Sequence, residues 1–94
     1  MDWELTFTLS PAAMRRPNRR ASAFRELLRR LRALLPQTDP LTRPDFWAPL
    51  LRGVTVGMTW STLDGSERER VISLFRRIRG LDVAWRAPAA KAAS

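Results

Sequence analysis

From Trp3 to Leu9, apolar and polar side chains alternate: Trp3, Leu5, Phe7 and Leu9 share one parity, Glu4, Thr6 and Thr8 the other. A period of two belongs to an extended chain, so this segment is predicted to be a strand with one buried face. Val54, Val56, Met58 and Trp60 repeat the pattern against Thr55, Gly57, Thr59 and Ser61. Leu81, Val83 and Trp85 do so again, against Asp82, Ala84 and Arg86.

Between these strands the period lengthens to that of a helix. Phe24, Leu27, Leu28, Leu31, Leu34 and Leu35 follow Ser22, a good N-cap, and Pro36 stops the run. Val71, Leu74, Phe75 and Ile78 mark a second helical face, with Ile72 beside it. Ahead of that face, Ser66 and Glu69 spell an S-x-x-E capping box, and Gly80 offers a left-handed stop behind it.

Proline divides what remains. Residues 10–21 hold Pro11 and Pro17 and are expected to form a basic loop. Residues 37–53, with Pro40, Pro44 and Pro49, are expected to give one or two short helical turns carrying Phe46, Trp47, Leu50 and Leu51. The Ala-rich stretch 87–94 is expected to be a disordered tail.

The order is therefore strand, helix, short helix, strand, helix, strand, within a single compact domain over residues 1–86. A helix separates each strand from the next, which predicts crossovers and a largely parallel three-stranded sheet. Strands buried on both faces would read as continuous apolar runs. These alternate, so a two-layer α/β sandwich is expected, with helices on one face and a Thr-rich face left open.

Composition removes several chemistries. The 94 residues contain no Cys and no His. Disulfides and Cys-ligated metals are excluded, as are the commonest general base and metal ligand. Ser10, Ser61 and Ser66 have no adjacent base, and Gly53, Gly57, Gly65 and Gly80 spell no phosphate-cradling loop. Asp64, Glu67 and Glu69 are accounted for by a turn, a helix dipole and a cap rather than by metal ligation. The expectation is a non-enzymatic protein with no cofactor and no metal. No apolar run is long enough to span a bilayer, and Asp2 and Glu4 are wrong for a leader sequence, so a soluble cytoplasmic protein is expected.

Charge supplies the one positive indication. The net charge is +8, and between Ser10 and Pro36 eight arginines (Arg15, Arg16, Arg19, Arg20, Arg25, Arg29, Arg30 and Arg32) face one acid, Glu26. Segregated cations attract anionic partners, and Arg binds phosphate bidentately. The Arg bias over Lys also suits a GC-rich codon usage.

Arg15, Arg16, Arg19 and Arg20 are predicted to form a mobile arm, and Arg25, Arg29 and Arg32 one exposed helix face behind it. Together they make a candidate anion or nucleic-acid site, docking on nucleic acid or a nucleoprotein complex. No base-reading motif is present. The strand aromatics Trp3, Phe7, Trp60 and Trp85 share the parity of their apolar neighbours and are expected in the core. The Phe24–Leu35 stripe is likewise expected to cover the sheet rather than lie on a membrane.

Phe46 and Trp47 are the candidate protein-binding residues, in an alternative role as a protein–protein interaction module that meets an acidic surface. An open edge strand or the Thr-rich face would also permit a homodimer.

The element order resembles that of barstar-type ribonuclease inhibitors. The segment from Asp45-Phe46-Trp47 to Gly53, leading into Val54–Trp60, is similar to that family's inhibitory helix and second strand. Those inhibitors are acidic and plug a basic nuclease cleft with carboxylates. This chain is basic, and Pro44 and Pro49 interrupt the corresponding helix. The resemblance thus implies the layout and not the inhibitory mechanism; a small inhibitor, antitoxin-like partner or complex subunit is the alternative role expected from Phe46, Trp47 and the basic surface.

Overall fold

The alternating segments do become strands, and they pair in an order that their sequence does not reveal. The computed structural model describes residues 2–35, 44–61 and 63–87. Along these run β1 (Asp2–Leu9), α1 (Pro11–Met14), α2 (Pro17–Leu34), α3 (Pro44–Leu51), β2 (Val56–Ser61), α4 (Gly65–Arg76) and β3 (Leu81–Arg86). The sheet order is β2-β1-β3, and β1 is antiparallel to both neighbours.

The expected largely parallel sheet is therefore corrected to an antiparallel one, while the α/β class stands. A helical connection between β2 and β3 does make those two strands point the same way. They are not neighbours, because the first strand of the chain occupies the slot between them. Alternation dictates which face is buried, but not which strand lies next to which.

The register places like with like. Trp3 faces Trp60, Leu5 lies between Met58 and Trp85, Phe7 between Val56 and Val83, and Leu9 opposite Leu81. On this face Leu5, Phe7 and Leu9 are buried beneath Ala23, Leu27 and Leu31 of α2, Trp47 and Leu50 of α3, and Val71, Ile72 and Phe75 of α4. Phe7 is the hub: its ring centroid lies 5.4 Å from Phe75 and 6.1 Å from Trp47. Each such side chain removed from water contributes about 1.5–3 kcal/mol.

Of the strand aromatics expected in the core, Phe7 is buried, Trp60 and Trp85 pack partly buried against the core cluster, and Trp3 is half-buried outside that cluster. Trp60 and Trp85 pack edge to face at 6.3 Å, the Arg68 guanidinium sits 3.8 Å over the Trp3 ring, and Trp85 Nε1 donates to the Arg68 carbonyl at 3.0 Å. The opposite face carries Thr6, Thr8, Thr59 and Ala84, with Arg86 Nε donating to Glu4 Oε1 at 2.8 Å across it.

Helix boundaries differ from the expectation in three places, each for a local reason. The region 10–21 is not a loop. Ser10 caps α1, its Oγ accepting from Ala13 N at 3.2 Å with Pro11 in the first turn, and Pro17 opens α2. Proline is favoured at the first helical position because its fixed φ suits the helix and the missing N–H would have no partner there. Both prolines thus start helices, and Ser22 lies inside α2 rather than capping it.

In α4 the cap is Asp64, not Ser66: its carboxylate accepts from Glu67 N at 2.8 Å. That bond, seconded by Ser66, holds the Asp64 carboxyl below its ordinary value.

The third difference is α3, one continuous helix that retains Pro49 inside it. The chain turns out of α3 through Gly53, where φ is +89°, with Gly53 N donating to Leu50 O and Val54 N to Pro49 O. The stretch 87–94, expected to be a disordered tail, lies outside the described residues from residue 88 onward.

Candidate nucleic-acid interface

The arginine-rich segment is folded, and its shape follows from a tight corner. Arg15 N donates to Pro11 O and Arg16 N to Ala13 O, closing α1. Pro17 then holds Arg16 in an extended conformation (φ −123°, ψ 103°), and α2 starts at once. This corner presents Arg15, Arg16 and Arg19 at the start of an 18-residue helix that has no side-chain cap and no acid in its first turn. The arrangement is electrostatically inverted: a helix N-terminus carries partial positive charge and ordinarily attracts carboxylates.

A second group of cations meets this corner from the far end of the sequence. Helix α4 ends in Arg76 and Arg77, and the turn to β3 passes through Arg79 and Gly80. Gly80 has φ +86°, a conformation that favours glycine. Its carbonyl accepts from Ser10 N at 2.9 Å, and a Cβ added here would lie 3.0 Å from that of Ala13 and 3.4 Å from Arg19 Cγ. The turn is thereby clamped to α1 and to the stem of Arg19.

Three hollows share Arg19 as a wall. One, of about 510 Å³, is walled by Arg15, Arg16 and Arg19. The next, of about 320 Å³, adds Arg79 to Arg16 and Arg19. In the last, of about 190 Å³, Arg19 and Arg79 are joined by Arg30 and Arg77. None of the three is lined by an aromatic side chain.

Their single acid among the described residues is Glu26, and it is already engaged. Arg29 Nη2 lies 2.6 Å and Arg30 Nε 2.9 Å from Glu26 Oε2. Hydrogen bonds from Arg29 first, then Arg30, hold the Glu26 carboxyl below its ordinary value. Arg30 also donates to the Leu74 carbonyl at 2.7 Å, tying α2 to α4. Among the described residues Arg15, Arg16, Arg19, Arg77 and Arg79 have no carboxylate partner.

The seven arginines singled out from the sequence do not act as one patch. Arg15, Arg16 and Arg19 enter the groove. Arg20 donates to the Met14 carbonyl at 3.2 Å, closing the corner, and with Arg25 borders a separate, largely apolar trough. Arg29 is held by Glu26, and Arg32 is exposed in the last turn of α2, where a cation complements the helix dipole.

Arg77 and Arg79 were not singled out. Their clustering around Gly80 was visible, but their proximity to Arg16 and Arg19 depends on the strand order. Of the proposed protein-binding pair, Trp47 is a core residue at 1% exposure and Phe46 is 37% exposed.

Among the described residues no three His, Cys, Asp or Glu side chains gather as a metal set, and no helix is long and apolar enough to cross a membrane. Compared with known proteins, the chain matches no family model, no curated protein and no solved structure.

Proposed function

We propose that this chain is a non-enzymatic nucleic-acid-binding protein that grips the phosphate backbone in the groove around Arg19. The observation behind it is that Arg15, Arg16 and Arg19 line, with Arg77 and Arg79 from the far end of the sequence, three hollows that share Arg19 and whose only acid among the described residues, Glu26, is paired. Guanidinium groups meet phosphate oxygens bidentately, and five of them on a fixed scaffold lose less freedom on binding than they would on a mobile arm. Without aromatic lining there is no platform for base stacking, so binding rests on the backbone and is independent of sequence.

Equilibrium titration of a labelled random-sequence duplex against salt tests the proposal. The expected result is binding at low salt that weakens steeply as salt rises. No binding at low salt, or binding unchanged in an R16E/R19E/R79E variant, rules it out.

A further inference from the structure

Helix α2 presents a second concave surface, which shares only Pro17 with the arginine-lined hollows. Pro17, Ala21, Phe24 and Leu28 follow one another at spacings of four, three and four, and with Leu51 of α3 they floor a trough of about 630 Å³. That spacing is the one by which a helix receives the side chains of another helix. The stripe covers about 16 Å, some three turns. Its floor is backed by the core, since the Phe24 ring packs edge to face on Trp47 at 6.0 Å. Arg20 and Arg25 form the rim, and among the described residues no acid lines the trough. Arg25 has no carboxylate partner among the described residues, and Arg32 continues the same edge seven residues further along.

We infer that this trough is a docking site for an acidic amphipathic helix of a partner protein. Its apolar side chains would fill the spaces between α2 and the end of α3, and its carboxylates would meet Arg25 and Arg32. The two features select the occupant jointly. A nucleic-acid backbone has no apolar face to set on Phe24, Leu28 and Leu51, and a neutral apolar helix leaves the rim unmatched.

The chain itself does not supply a suitable occupant. Residues 88–94 contain Lys91 and no acidic side chain, and residues 36–43 contain one Asp and one Arg. A second copy would present α2 and α4, each with more arginines than acids, on a molecule of net charge +8. The site is independent of the phosphate groove and stands whether or not nucleic acid binds there.

The test uses the full chain and three synthetic peptides of equal length. The first has Leu at alternating spacings of three and four with Glu elsewhere, the second has Lys in place of Glu, and the third is the first in scrambled order. Binding is followed by fluorescence anisotropy of the labelled peptide. The first peptide is expected to bind saturably in the micromolar range and the other two at least about tenfold more weakly.

An R25E/R32E variant, changed at exposed positions, is expected to lose about tenfold for the first peptide, and R16E/R79E less than about twofold. F24A, checked for folding by circular dichroism, is expected to lose at least as much as R25E/R32E. No saturable binding to about 1 mM, equal binding of the scrambled peptide, or equal losses in R25E/R32E and R16E/R79E would each overturn the inference. So would a concentration-dependent dimer, seen by sedimentation without peptide, that F24A dissolves, because a second copy would then own the trough.

Discussion

Removing Arg77 and Arg79 together is the perturbation that separates a built groove from bulk charge. Among the described residues, five groove arginines lack a carboxylate partner: Arg15, Arg16, Arg19, Arg77 and Arg79. If each neutralises one phosphate, counterion release gives log K against log salt a slope of about −4.5, a loss of about 500-fold in affinity between 50 and 200 mM. Without Arg77 and Arg79 the slope becomes about −2.7 and the loss over the same range about 40-fold.

The control is R25A/R32A, which removes the same formal charge from exposed positions outside the groove and is expected to leave the slope within about half a unit of the parent. The assay is anisotropy of a labelled random-sequence duplex at several salt concentrations, with circular dichroism confirming that both variants fold. Equal slopes for the two double variants would refute the reasoning, because affinity would then follow net charge and not position.

Substituting Ala for Gly80 places a side chain at φ +86° and brings its Cβ to 3.0 Å from that of Ala13. A loss of about 1–2 kcal/mol from the left-handed conformation alone is expected in denaturant unfolding, with weakened duplex binding as the turn separates from α1. Phe7→Ala empties the junction of β1, α3 and α4 and is expected to cost about 3–5 kcal/mol, a large share of the stability of a domain this small, measured by the same unfolding curves.

The Asp64 carboxyl is held below its ordinary value of 3.8 by the bond from Glu67 N. Its contribution is therefore fully present above that pH and is lost as pH falls through the lowered folded value. The melting temperature is expected to fall on acidification below about pH 4, and by less in D64A than in the parent. An unchanged acid profile in D64A would show that the cap carries no such linkage.

The elements were legible because burial imposes a period. Leu5, Phe7 and Leu9 could be assigned to the inner face from alternation alone, as could Leu27 and Leu31 from helical spacing. Pro11 and Pro17 misled because proline breaks a helix only from inside it. At the first turn it begins one, and the sequence alone did not separate these cases. Pro49 shows the opposite limit, since its neighbours Trp47 and Leu50 are buried deeply enough to hold α3 together despite the missing N–H.

Strand order was illegible because Phe7 would face an apolar neighbour in any arrangement of these strands. That one uncertainty hid the rest of the site. Arg15, Arg16 and Arg19 were found by their density, whereas Arg77 and Arg79 become relevant only once β3 is known to lie beside β1.

The central position of β1 also sets when the arginine-lined groove comes into existence. The first strand made must wait for the last, because Leu9 pairs with Leu81 and Ser10 bonds to Gly80 only after nearly the whole chain is available. Such distant pairing forms late and slowly. A nascent or truncated chain lacking β3 would still display Arg15 to Arg20, but without the Gly80 clamp on α1 and on the stem of Arg19. The fixed array of guanidinium groups belongs to the completed fold alone. Specific grip on a partner would then arise at the same moment as the closing ladder of the sheet, making recognition a report on folding.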